Sequence, residues 1–134
     1  MKTTLHGLIL AAAFLGALAP LAARKAVDLD AATIADLSAA FAAGTLTSEQ
    51  LVQLHLARIQ AYDRQGPSLR AVITLNPKAL DTARALDAER KAKGPRSALH
   101  GLPIVLTDNY DTADLPTTGG SILLEGSIPP DDAI

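Results

Sequence analysis

Three kinds of residue able to do chemistry lie close together in the last third of this chain. Asp108, Asp111 and Asp114 recur at every third position, Gly119-Gly120-Ser121 follows in the same stretch, and His100 stands a little before them. The aspartates suggest a calcium loop. Counting from Asp108, however, an EF-hand would put a ligand at Tyr110, its glycine at Ala113 and its last carboxylate at Gly119. The spacing instead predicts turn-forming, backbone-capping carboxylates and no metal site. His6, His55 and His100 form no His-x-x-x-His pair for zinc. A Ser-His-Asp hydrolase is not supported, because no serine sits in Gly-x-Ser-x-Gly. Gly119-Gly120-Ser121 reads as a flexible turn entering Ile122-Leu123-Leu124. With no cysteine in the chain, a thiolate nucleophile, a thiolate metal site and a disulfide framework are excluded. No cofactor is expected.

The elements that must position these residues follow from periodicity. Residues 33–43 read as a helix, with Ile34, Leu37, Ala40 and Phe41 on one face and Gly44 able to end it in a left-handed conformation. Thr47-Ser48-Glu49-Gln50 is a capping box that opens a second helix, whose apolar stripe runs through Val52, Leu56, Ile59 and Tyr62 and stops near Asp63. The β-branched run 71–75 predicts a strand. Asn76-Pro77 then opens a third helix with Ala79, Leu80, Ala83 and Leu86 on its apolar side. Arg90, Lys91 and Lys93 suit that helix's C-terminal dipole as a solvated end, and Gly94-Pro95 stops it. Ile104-Val105-Leu106 is short enough to be a buried strand. Residues 111–121 are a long, turn-rich loop of the sort that is often functional. At the end of the chain, Pro129-Pro130-Asp131-Asp132 resembles the start of a helix with no body behind it, which predicts a truncated domain. Alternating helices and short strands indicate an α/β class, although two or three strands are too few for the layered sheet such a fold requires.

Composition narrows the function. The 49% hydrophobic content is misleading, because much of it is alanine and an N-terminal apolar run, while aromatics are only 3%. A thin core is therefore expected. Net charge is -2 and no basic cluster is interleaved with aromatics, which argues against a nucleic-acid partner. Lys2, the apolar residues 7–18 and the small residues 17–23 predict a secretory signal peptide over residues 1–23. The apolar stretch before Pro20 is shorter than the ~20 residues that span a bilayer, so membrane contact is expected only during export. Cleavage after Ala22 or Ala23 would leave a mature chain, residues 24–134, in the periplasm or medium.

Leu99-His100-Gly101-Leu102-Pro103-Ile104-Val105-Leu106-Thr107-Asp108-Asn109, followed by Asp111-Thr112-Ala113-Asp114-Leu115-Pro116-Thr117-Thr118, resembles the amidase signature family. The helices and strand that precede this stretch are also similar to that family's N-terminal region, from about residue 30 onward. The resemblance implies a large mixed sheet flanked by helices, of which this chain would supply the first part. It further implies hydrolysis of C–N amide bonds in small-molecule or peptide substrates. In that family a nucleophilic serine, a second serine on a cis peptide bond and a lysine carry the reaction, the lysine taking the proton through the bridging serine. Backbone N–H groups of a Gly/Ser-rich loop stabilise the oxyanion.

The chain departs from the pattern in two places. Thr107 occupies the lysine position and offers no basic nitrogen. The loop with both serines would lie beyond Ile134, and Gly119-Gly120-Ser121 follows the lysine strand too closely to be that loop. No catalytic residue is therefore expected to be intact. These features predict a truncated or decayed exported amidase; alternatives are a non-catalytic pseudo-amidase that binds amide ligands, and a small independent helical module.

Overall fold

The computed structural model describes residues 27–134, so the expected signal peptide and the boundary at Arg24 lie outside the described residues. Helix α1 (Ile34–Ala42) starts at Thr33, whose hydroxyl accepts the Asp36 N–H at 3.2 Å while the Asp36 carboxylate accepts the Thr33 N–H at 2.9 Å. This reciprocal cap satisfies two of the donors that a helix start leaves unpaired. Gly44, at φ 65°, turns the chain out of the helix.

Helix α2 (Ser48–Arg58) begins with the predicted Thr47–Gln50 box, at 3.1 Å and 3.0 Å. The structure adds a second cap. The Asp87 carboxylate accepts the Ser48 N–H at 2.8 Å and the Glu49 N–H at 3.0 Å. All of the first three helical N–H groups of α2 are thus satisfied, and a negative charge sits at the positive end of its dipole. Asp87 belongs to α3 (Ala79–Lys93), so one carboxylate both caps α2 and fixes α3 against it.

The predicted stripe of α2 holds at Val52, which is buried, and at Leu56 and Ile59, which are half-buried, but Tyr62 is exposed and the face extends to the completely buried Leu51 and Ser48. The helix passes into a π-helical turn, Ile59–Arg64, closed by Gln65 N–H to the Gln60 carbonyl at 3.0 Å. The wider turn shifts later side chains off the 3.6-residue period, which carries Tyr62 out of the stripe. Leu51 packs with Ala40, Phe41 and Leu46, and with the half-buried Leu29, Leu37 and Leu102. The core is as small as the composition implied.

Helix α3 starts two residues later than expected. Asn76 Oδ1 accepts the Lys78 N–H at 2.8 Å, making a turn before the helix instead of its cap. Gly94, at φ 81°, ends it as predicted.

Neither predicted strand forms a sheet. Among the described residues there is no strand, and an isolated bridge pairs Thr112 with Leu115. Residues 71–75 and 104–106 have no helical or sheet assignment, and Ile73, Leu75, Ile104, Val105 and Leu106 are exposed, Val105 at 89%. A β-branched apolar run supplies the propensity for a strand, but a strand is completed only by a neighbour that takes its ladder hydrogen bonds. No such neighbour exists among the described residues. The described residues thus show three α-helices carrying non-helical arms and do not show the expected mixed sheet. The expected terminal helix is also absent: Asp132 accepts the Ala113 N–H at 2.9 Å, and Ala133 N–H bonds the Asp111 carbonyl at 2.9 Å, so the tail is tied to a loop. No helix of the described residues is long and apolar enough to cross a membrane.

Side chains do for the arms what a sheet would otherwise do. The buried Asp63 accepts the Ala71 and Val72 N–H groups at 2.5 Å and 3.3 Å, and Arg64 Nη2 donates to the Val72 carbonyl at 2.8 Å. For the second arm the anchor is Arg90, which sequence reasoning placed at a solvated helix end. Its guanidinium instead turns inward, donates to the His100 carbonyl and lies over the Phe41 ring at 4.5 Å from the centroid. The reason is geometric: Arg90 is three residues after Asp87, and therefore on the same face of α3 that meets α2.

Gly101 follows immediately, at φ 80°, buried against Ser48 and Arg90. A Cβ there would overlap the Ser48 hydroxyl and come within 3.0 Å of Arg90 Nη2. Gly44 has an equally positive φ with nothing within 4 Å of where a Cβ would be. Replacing Gly44 by alanine is expected to cost about 1 kcal/mol from backbone strain alone, and Gly101→Ala about 2–3 kcal/mol or more, because strain and steric overlap add. Urea unfolding of the two variants checks this, and equal losses would contradict it.

Candidate functional site

From Gly101 the chain runs through Pro103 and the exposed residues 104–106 to Thr107. Thr107 is exposed; its carbonyl accepts the Tyr110 N–H at 3.0 Å, and its hydroxyl has no hydrogen-bond partner among the described residues. It therefore stands at the end of the arm with its side chain exposed and without a base's nitrogen.

Asp108 organises everything after it. Its carboxylate accepts the Thr118 N–H at 3.0 Å, the Thr118 hydroxyl through a short hydrogen bond, and the Gly120 N–H at 3.2 Å. Its carbonyl takes the Gly119 N–H at 2.8 Å. One residue thus closes a loop of about ten residues, with Thr117 Oγ1 on the Tyr110 carbonyl at 3.1 Å as a second stitch. This is the backbone-capping role expected of the acidic residues, in its fullest form. Asp114 takes a weaker part, accepting from Asn76 Nδ2 at 3.4 Å. The hydroxyl of Thr118 first and its amide second, with the Gly120 amide adding to them, hold the Asp108 carboxyl below the ordinary aspartate range against the opposing effect of burial.

His100 is the functional-type residue that sequence reasoning undervalued. It is only 6% exposed, and both ring nitrogens are engaged: Nδ1 accepts the Arg96 N–H at 3.1 Å, and Nε2 lies 2.9 Å from the Leu86 carbonyl. The signal available in the sequence was its position next to a glycine, where the backbone must fold tightly. No hydrogen bond connects His100, Thr107 and Ser121, so the described residues hold no assembled nucleophile and base. No group of three or more His, Cys, Asp or Glu among the described residues could hold a metal ion.

Residues 50–134, which include most of α2, all of α3, the Arg90 anchor and the Asp108 loop, match the family model described as Amidase. The chain belongs to the amidase family. Among curated amidase-family relatives it is 45% identical over 102 residues to a glutamyl-tRNA(Gln) amidotransferase component of Myxococcus xanthus, covering 75% of this chain and 20% of that protein. It is 43% identical over 109 residues to a probable amidase of Arabidopsis thaliana, covering 79% and 21%. Among solved structures it resembles the peptide amidase of Stenotrophomonas maltophilia, with TM-score 0.73, 48% identity and coverage of 77% of this chain and 21% of that one. An amidase family protein of Bacillus anthracis gives TM-score 0.73 at 34% identity, over 82% and 24%. The chain spans about a fifth of the length of these curated amidase relatives. The helices and arms of the described residues are thus part of the amidase fold.

The Asp108 clamp has a definite pH signature. A carboxyl whose folded value is lowered stabilises the fold while ionised, and that contribution disappears as pH falls through the lowered value. The amide signals of Thr118 and Gly120 should therefore keep their neutral-pH positions until pH drops below the ordinary aspartate range, then move together with the Asp108 carboxyl carbon. Asp108→Ala should raise amide exchange at Thr118, Gly119 and Gly120 by about tenfold, since the Thr118 and Gly120 amides and the Thr118 hydroxyl lose their carboxylate acceptor and the turn loosens. NMR titration of both proteins checks this; unchanged exchange in the variant would show that the loop does not depend on Asp108.

Proposed function

We propose that this chain is the first part of an exported amidase-family protein that has lost the family's base and does not turn over amides. The observation that carries the reading is Thr107. The residues around it retain the features that resemble the family, from Leu99 to Thr118, and the Asp108 clamp holds the loop beyond it in a defined shape. Only the side chain at the position of the lysine is wrong for the chemistry. A threonine hydroxyl stays protonated and uncharged at neutral pH, so it cannot accept a proton from a serine. Its reach is also too short to replace a lysine nitrogen. Removing one member of a nucleophile-and-base set typically costs on the order of 10⁴-fold or more in rate.

The family's reaction is hydrolysis of C–N amide bonds, and the 48% identity to a peptide amidase supports a peptide or small-molecule amide as the ligand class. The small share of each relative that the chain spans supports reading residues 24–134 as the opening portion of a larger catalytic domain. One observation favours a second reading, that of an amide-binding pseudoenzyme: the Asp108 loop beside Thr107 is closed by three hydrogen bonds to one carboxylate, although residue 107 offers no base.

The test is made on the full gene product. Protein recovered from the periplasmic fraction is expected to begin near Arg24 and to release no ammonia from simple amides or C-terminal peptide amides. Thr107→Lys separates the two readings: restored hydrolysis indicates a decayed amidase, whereas continued inactivity with saturable amide binding indicates the binder. Turnover by the protein carrying Thr107 would sink both.

A further inference from the structure

We propose that His100 is a proton-operated latch on the turn that carries the Thr107 arm. The carbonyl of Leu86 can only accept, so the 2.9 Å contact requires a proton on Nε2. The Arg96 N–H can only donate, so the 3.1 Å contact requires a bare Nδ1. Two backbone groups of opposite character, on α3 and on the turn after it, thereby select one neutral tautomer of a side chain that is only 6% exposed. A second proton has one place to go, Nδ1. There it would put an N–H against the N–H of Arg96 and abolish the bond that closes the turn.

The charged surroundings do not offer an easy compensation. From α3, Arg90 donates to the carbonyl of His100 itself and Lys93 adds a second cation on that helix. Glu89 is the carboxylate that faces His100 favourably, but the Arg96 guanidinium holds it in an ion pair and keeps its carboxyl below the ordinary glutamate range. Asp87 is committed to the Ser48 and Glu49 amides of α2, and Glu49 to Arg84. From α1 the turn receives the neutral Ser38 hydroxyl, which donates to the Ala98 carbonyl at 3.1 Å. Protonation of His100 therefore frees the Arg96 amide and loosens the turn before the Thr107 arm, while the Asp87 cap keeps the α2–α3 pair closed.

Nitrogen-15 NMR of the complete chain at neutral pH is expected to show His100 protonated at Nε2 and bare at Nδ1. As the pH is lowered, the protection factor of the Arg96 amide should fall about tenfold in step with the arrival of a proton on Nδ1, with those of Ser48 and Glu49 unchanged. His100→Asn keeps an acceptor for the Arg96 amide but takes no proton, so its Arg96 protection should show no such step. A proton on Nδ1 at neutral pH in the unsubstituted protein, Arg96 protection that stays constant while Nδ1 gains its proton, or an Nδ1 that stays bare until the whole chain unfolds would overturn the proposal. So would an undiminished pH dependence in His100→Asn.

Discussion

The guanidinium of Arg90 is the point on which the rest of this structure depends. It holds the His100 carbonyl from one side, stacks on Phe41 from another, and borders the space where Gly101 has no side chain. Helices α1 and α3 and the arm toward Thr107 therefore meet at one charged group. A hydrogen bond to a charged donor is worth about 1.5–3 kcal/mol and a cation–π contact about 0.5–2 kcal/mol. Leu102, the one apolar residue of the arm that packs on the core, is half-buried and brings roughly 1–2 kcal/mol. The polar anchor outweighs the apolar one, so the direction of the arm is set by hydrogen bonds and by the absence of a Cβ at residue 101. Ser48 shows what this close approach costs: its hydroxyl is fully buried without a partner among the described residues.

The same device recurs. Asp63 binds the first arm, Arg90 the second, and Asp108 the loop that follows it, each time a charged side chain taking backbone groups that would otherwise need a neighbouring strand or water. Asp87 applies it to a helix end. A chain with few aromatics and a core of a handful of residues is thus held in shape largely by polar contacts that fix direction as well as distance.

Much of this was legible in the sequence, and what was not shares one cause. Helix starts and stops depend on residues within four positions, so Thr47–Gln50, Gly44 and Gly94 could be read directly. The amidase resemblance rested on a continuous run from Leu99 to Thr118 and was equally visible. Long-range choices were not. Nothing local says that Arg90 turns inward while Lys91 stays in solvent, since that depends on Phe41 and His100 arriving from elsewhere. Nothing local shows that Asp87 caps a helix 39 residues away. The π-turn at Ile59–Arg64 carried Tyr62 out of a stripe that assumed a regular period, and the strands read from β-branched runs needed partners that the described residues do not contain. For the candidate site, the identity of Thr107 was plain from sequence, whereas the clamp by Asp108 emerged only when Thr118 and Gly120 were brought to it.

The central claim is that side-chain anchors, rather than sheet pairing, hold the segment around Thr107 in its amidase-like course. Residue-resolved amide hydrogen exchange across residues 99–121 tests it most directly. Protection is expected at His100, Leu102, Thr118, Gly119 and Gly120, whose N–H groups are bonded, and free exchange at Ile104, Val105 and Leu106. Strong protection at Ile104 to Leu106 with free exchange at Thr118 to Gly120 would contradict it, because that pattern requires a strand ladder and leaves Asp108 without a role.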